Sequence, residues 1–116
     1  MAQGYIYRNL DEVQGTQCPC GEAFRIVGAQ DDTPVSFHVV KIKKDSERHY
    51  HRKMTEVYFC LEGEGQIELD RETLPLRPGI VVVIRPGTVH RAVGDLKIVN
   101  VVIPPFDPAD EFAEGA

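Results

Sequence analysis

His49-Tyr50-His51-Arg52-Lys53-Met54-Thr55-Glu56-Val57-Tyr58-Phe59-Cys60-Leu61-Glu62-Gly63 is the stretch that decides the fold. His49 and His51 are two positions apart, so on an extended strand both imidazoles leave the same face. Glu56 lies five positions past His51, an odd offset that an unbroken strand would send to the opposite face. Convergence of the three side chains therefore requires a turn or bulge within Arg52-Lys53-Met54-Thr55. Far downstream, His90 follows Arg85-Pro86-Gly87-Thr88, a tight-turn sequence closing another strand. Two strand ends then deliver three imidazoles and a carboxylate to one point. A barrel does this; a helical bundle does not.

Working outward, β-rich runs recur at short intervals. Ala23 to Ala29 and Ser36 to Lys43 are separated by the turn cluster Gln30-Asp31-Asp32-Thr33-Pro34. After Glu56–Leu61, the sequence Glu62-Gly63-Glu64-Gly65 predicts a chain reversal into Gln66–Asp70, where Ile67 and Leu69 alternate with polar residues. Arg71-Glu72 turns into Thr73–Leu76, and Arg77-Pro78-Gly79 turns again. Ile80–Ile84 is a five-residue β-branched run that predicts a strand buried on both faces. His90–Val93, a Gly94-Asp95 turn and Leu96–Ile103 complete the series. Prolines are expected in turns or at strand ends. Short strands, Gly/Pro turns and almost no helical periodicity imply an all-β sandwich or barrel. In the acidic tail, Asp107, Pro108 and Asp110 offer the cap, first and third positions of one helical turn, with disorder the alternative.

A chain of 116 residues suffices for one domain with a single core. Its net charge of −5 and the lack of a basic block argue against nucleic acid. No apolar run approaches the ~20 residues of a membrane span, and Met1-Ala2-Gln3-Gly4-Tyr5 lacks a signal-peptide core, so a cytoplasmic protein without membrane partners is expected. Cys18, Cys20 and Cys60 do not make a disulfide framework. Cys60 reads as a small buried hydrophobe. Cys18-Pro19-Cys20-Gly21 reads as a rigid turn with reduced thiols, since a bridge there closes a very small ring; a second metal site would lack further ligands.

On these residues the chain resembles the cupin family. That family's first motif reads His-x-His, three or four residues, Glu, six residues, Gly, and here it takes the form His49, His51, Glu56 and Gly63. The second motif resembles Gly79 through Gly87 to His90. The match spans residues 35–103, leaving 1–34 as N-terminal strands or arm and 104–116 as the acidic tail. Three positions depart from the family pattern: Lys43 stands for a glycine, Arg85 for a proline (with Pro86 one place later), and Gly94 for an asparagine. None is a ligand. The resemblance implies a single-domain double-stranded β-helix, a jelly-roll barrel with a metal in one mouth, and a homodimer. It fixes no reaction, because the family includes dioxygenases, isomerases, decarboxylases, lyases and non-enzymatic binders.

The expected metal ligands are His49, His51, Glu56 and His90. Three neutral imidazoles and one carboxylate suit a divalent transition ion with open positions; they favour Fe(II) or Mn(II), while Zn, Ni, Co and Cu also fit. Around them, Glu56, Tyr58 and Cys60 share one strand face, and His38, Val40 and Ile42 another. Arg85 and His38 are candidates to orient an anionic substrate, and His38 or Tyr58 to act as general acid or base. Asn100, the lone polar residue of an apolar strand, needs a hydrogen-bond partner if buried. Arg48, Tyr50 and Arg52, out of phase with the histidines, should face solvent or a subunit contact. Two functions fit: a small metal-dependent enzyme of oxygenase or isomerase type acting on a polar, anionic small molecule, or a non-catalytic module binding a sugar or sugar phosphate. A DNA-binding regulator lacks its helix-turn-helix, and a metal-free epimerase does not need four ligands. A homodimer is expected because Tyr5-Ile6-Tyr7 and the two apolar strands exceed what one small barrel covers.

Overall fold

The computed structural model describes residues 4–18, 20–43 and 46–116. The first three residues of the N-terminal reading, and Pro19 of the Cys-Pro-Cys turn, lie outside that set. The chain is all-β, with nine strands among the described residues: β1 (Thr16–Cys18), β2 (Gly21–Val27), β3 (Ser36–Ile42), β4 (His49–Tyr50), β5 (Thr55–Leu69), β6 (Glu72–Leu76), β7 (Val81–Ile84), β8 (His90–Ile103) and β9 (Phe112–Ala113). All pairings are antiparallel. The spatial path runs β1-β2-β3-β8-β4-β9, while β5 pairs with β6, β7 and β8, so the sheet curls on itself into the jelly-roll barrel. No helix among the described residues is long and apolar enough to cross a membrane.

Two expected turns are not turns. Glu62-Gly63-Glu64-Gly65 lies inside β5, and Gly94-Asp95 lies inside β8; the two strands stay paired from Thr55↔Ile103 to Leu69↔His90. A bulge between Cys60 and Glu62 bends the pair from one wall of the barrel to the other. The glycines serve the bend. Gly63 has φ +90°, and a β-carbon there would run into the carbonyl oxygen of Asp95.

Ile80–Ile84 is likewise not buried on both faces. Ile84 points into the core, but Val81 and Val83 are 58% and 57% exposed, because among the described residues β7 pairs with β5 alone and its outer face is left to solvent. Pro75 sits within β6 rather than at its end, which the ladder tolerates because β6 is an edge strand with one partner. Cys18 and Cys20 are disulfide-bonded rather than reduced. The hairpin that pairs Cys18 with Gly21 sets their Cα atoms 5.1 Å apart, within bridging range. Bonded sulfurs offer no thiolate to a second metal. Cys60 is free and fully buried.

The register stratifies the interior. Ala23, Val40, Ile98 and Cys60 are paired neighbours across β2, β3, β8 and β5, forming an apolar layer with Ile67, Leu76 and Ile84 packed in the same core. One step along each strand pair, Arg25, His38, Asn100 and Tyr58 form a polar layer. The site stands on that layer.

Candidate metal centre

His49 enters from β4, with His51 just beyond it; a bend at Arg52-Lys53 then resets the strand phase before β5 delivers Glu56. His90 opens β8 directly opposite His49. One ligand atom from each of the four lies within 4.8 Å of the others, and His51, Glu56 and His90 are buried. The imidazole ring centroids are 4.4 to 5.4 Å apart.

The orientation of the rings follows from hydrogen bonds to backbone carbonyls. His49 Nδ1 faces Glu47 O, His51 Nδ1 faces Asp110 O and His90 Nδ1 faces Thr88 O, each at 2.8 Å. A carbonyl can only accept, so each Nδ1 carries the proton and each Nε2 lone pair is turned inward. The Nε2 atoms of His51 and His90 lie 2.6 and 3.1 Å from Glu56 Oε1. Glu56 Oε2 is occupied separately, accepting from Asn100 Nδ2 at 2.7 Å. One carboxylate oxygen and three ring nitrogens thus face a common centre, and the donor set fits a divalent transition ion.

The electrostatics agree with a ligand cluster. Burial works to raise the Glu56 carboxyl, but the His51 and His90 imidazoles more than offset it and hold Glu56 well below the usual carboxylate range. Burial, then the neighbouring His90, lowers His49. For His51 burial pulls down, and the adjacent Glu56 carboxylate overrides it and raises the ring.

A cavity of about 440 Å³ opens beside this cluster, reached by His49 and Glu56 and lined also by Arg25, His38, Tyr58 and Asn100. Burial, reinforced by the Glu56 charge, pushes the Tyr58 phenol well above its ordinary value, so it keeps its proton at neutral pH. Burial and then the Arg25 guanidinium pull His38 down to about 4, leaving it neutral. Arg85 is not part of this wall. It sits exposed in the turn where its carbonyl accepts from Thr88 N–H, and that turn carries its side chain out of the cavity.

Two residues of the cavity had no signal in the linear pattern. Arg25 is a lone cation in an apolar strand and reaches the interior because it is cross-strand to His38. Glu111 comes from the acidic tail, which is an ordered strap. Asp107 caps the turn Pro108–Asp110, and β9 pairs with β4. Asp110 accepts the backbone N–H groups of Arg52, Lys53 and Met54, fixing the bend between His51 and Glu56. Glu111 then places a carboxylate oxygen 3.5 Å from His49 Nε2. The outward side of β4, expected to meet solvent or a subunit, is where this strap docks: Phe112 stacks on Tyr50, Arg52 covers Phe112, and Arg48 pairs with Glu68 and Glu114.

The cupin domain family matches residues 36–102, more than half of the chain. Among curated proteins, the L-ectoine synthase of Aliivibrio fischeri (strain MJ11) is 32% identical over 111 residues, covering 89% of this chain and 85% of that protein. Quercetin 2,3-dioxygenase of Bacillus subtilis (strain 168) is 33% identical over 93% of this chain, which spans 35% of the dioxygenase. Among solved structures, a protein from Planctomyces limnophilus superposes with a TM-score of 0.88 at 40% identity, covering 97% of this chain and 96% of that one. Ectoine synthase from P. lautus superposes at 0.79 with 26% identity, over 90% of this chain and 82% of its own.

Proposed function

The chain belongs to the cupin family, and we propose that it is a metal-dependent enzyme performing non-oxidative acid–base chemistry on a small polar molecule held in the barrel mouth. The observation that carries this reading is the three Nδ1–H groups tied to carbonyls, which leave three Nε2 lone pairs free, those of His51 and His90 beside Glu56 Oε1 and that of His49 in the same 4.8 Å cluster. A bound divalent ion, Fe(II), Mn(II) or Zn by its ligand set, supplies a Lewis acid for a substrate carbonyl or hydroxyl. The chain supplies the rest. Tyr58 offers a neutral phenol O–H to hydrogen-bond a substrate oxygen, and Glu111 places a carboxylate in the cavity wall beside His49 as the candidate base. The similarity to L-ectoine synthases, over most of their own length, supports a synthase type of reaction rather than an oxygenase or isomerase type.

Oxygenation is the second reading, favoured by the match to a quercetin 2,3-dioxygenase. The test is elemental analysis of protein purified without added metal, followed by product analysis with the L-ectoine synthase reaction and by oxygen uptake against catechols, diketones and thiol acids. About one metal per chain and turnover without oxygen uptake are expected. Substrate-dependent oxygen uptake would replace this reading with the second. Zinc with no turnover of any compound would point to the binding module instead.

We propose also that a second copy covers the outer face of the barrel. Phe59, Val81 and Val83 lie exposed together on paired strands, and Tyr5 and Tyr7 are 70% and 92% exposed. An apolar sheet face of this kind, beside an edge strand, suits a closed twofold dimer.

A further inference from the structure

The polar layer above the apolar core contains three atoms that the chain itself leaves unused. Among the described residues, Arg25 Nε, His38 Nε2 and Asn100 Oδ1 are buried without hydrogen-bond partners. His38 is 3% exposed and Asn100 8%. All three side chains line the same cavity, on neighbouring strands in direct register, Arg25↔His38 and His38↔Asn100. An unpaired buried polar group costs about 1–3 kcal/mol, so three in one row, facing a cavity, are a site prepared for a ligand.

The row has a chemical polarity. Arg25 stacks its guanidinium 4.9 Å over the Phe106 ring, which holds the planar group by its face and leaves its N–H edge free. Phe106 also packs edge-on against His38. The other end is an acceptor: Asn100 gives its amide N–H to Glu56, which fixes Oδ1 as the atom left without a partner in a side chain that lines the cavity. We infer that Arg25 and His38 form a carboxylate-binding subsite, with Asn100 Oδ1 receiving an O–H or N–H from the same molecule. The substrate class is therefore a small carboxylate bearing a hydroxyl or amino group.

A carboxylate is favoured over a phosphate by charge and shape. One guanidinium and one neutral imidazole balance a single negative charge, and the planar fork matches a planar oxyanion. Neighbouring strands are about 4.8 Å apart, so Arg25 and Asn100, two strands apart, are spaced for a molecule of a few carbons. Asn100 in turn contacts Glu56, which brings the donor end of the molecule next to the metal ligands. That this ligand is a substrate rests on the enzymatic reading above; the subsite itself does not.

The test is calorimetric titration of the full chain, metal-loaded and chelator-stripped, with β-hydroxybutyrate, its neutral amide and inorganic phosphate. The wild-type protein should prefer the carboxylate over the amide by about tenfold or more in both forms. Arg25→Met keeps the stem over Phe106 and should bring the preference below about twofold, with metal content unchanged. Arg25→Lys, which keeps the charge and loses the fork, should lower it at least about threefold and serves if the Met variant does not fold. Equal binding of acid and amide would overturn the inference. So would a preference that survives Arg25→Met, one that vanishes on stripping the metal, or tighter binding of phosphate. An Arg25-dependent preference in a protein that takes up no metal would uphold the subsite while refuting the metal-dependent reading, so the two failures are separable.

Discussion

Asp110→Ala tests whether the C-terminal strap builds the metal centre or merely lies on it. Asp110 is 6% exposed and accepts three consecutive backbone N–H groups: Arg52 at 2.9 Å, Lys53 at 3.0 Å and Met54 at 2.9 Å. A hydrogen bond to a charged group contributes about 1.5–3 kcal/mol when its loss leaves a buried partner. The Met54 amide is buried and finds no water after truncation, so it accounts for most of the effect; the Arg52 and Lys53 amides are partly exposed and can be rehydrated. The expected destabilisation is about 3 kcal/mol. Asp110→Asn keeps one acceptor oxygen and should lose roughly half of that.

The same substitution has a second readout. Asp110 O orients His51 through Nδ1, and its side chain fixes the bend between His51 and Glu56. Loosening the strap should weaken metal binding about tenfold or more, as loss of an orienting partner does in other metal sites. The chain has no tryptophan, so urea unfolding is followed by far-UV circular dichroism, and affinity by competition with a chromophoric chelator. A loss below about 0.5 kcal/mol would place Asp110 among ordinary surface positions and refute the capping argument. An unchanged metal affinity in a destabilised variant would refute its link to His51.

Three further outcomes follow from the structure. His90→Ala removes one of the four converging ligands and should abolish metal retention through gel filtration; in the wild type, metal release should begin as pH falls toward the ordinary imidazole value of about 6.5, because protons compete for Nε2. Asp31, held at about 2 by the Arg8 guanidinium and then by the Gly28 N–H, adds stability that is complete above its unfolded value near 3.8 and is lost as pH falls through the folded one, so Asp31→Asn should flatten the acid limb of the stability curve at low salt. Val83→Lys places a charge in the exposed apolar face and should convert a dimer of twice 13.0 kDa into a monomer by light scattering, with metal retained; a wild-type monomer would refute the proposed interface.

The convergence of His49, His51, Glu56 and His90 was legible because its signal is a spacing: two imidazoles at period two, a phase change, and a histidine after a Pro-Gly turn. The bend at Arg52-Lys53 lies where parity demanded it, and Asn100 found the partner its burial required. The errors share one cause. Gly63-Glu64-Gly65 has the composition of a reversal, but glycine serves equally where another backbone approaches closely, and the carbonyl of Asp95 that makes the difference is some thirty residues away. Ile80–Ile84 looks doubly buried because an apolar outer face and an apolar core have the same local sequence. In the tail the capped turn at Asp107-Pro108-Asp110 was legible, but disorder stayed open as the alternative because the partners of Asp110 and Phe112, at Lys53 and Tyr50, are equally remote.

Arg25 shows how such a residue becomes readable once register is known. Within β2 its charge argues for solvent, yet Ala23 two positions away is buried, and period-two alternation puts both on the inner face. Across the sheet, Arg25, His38, Asn100 and Tyr58 are the polar members of four strands whose next inward residues, Ala23, Val40, Ile98 and Cys60, are all apolar. One polar residue in one strand is ambiguous. Four at the same height in four adjacent strands are not, because each would otherwise lose hydration without a compensating partner. The layer has a constructive reason: it lets a barrel keep a closed apolar floor while lining the cavity beside the His/Glu cluster with hydrogen-bonding side chains. The position of the site within the barrel is thus set by where the inward row changes from apolar to polar.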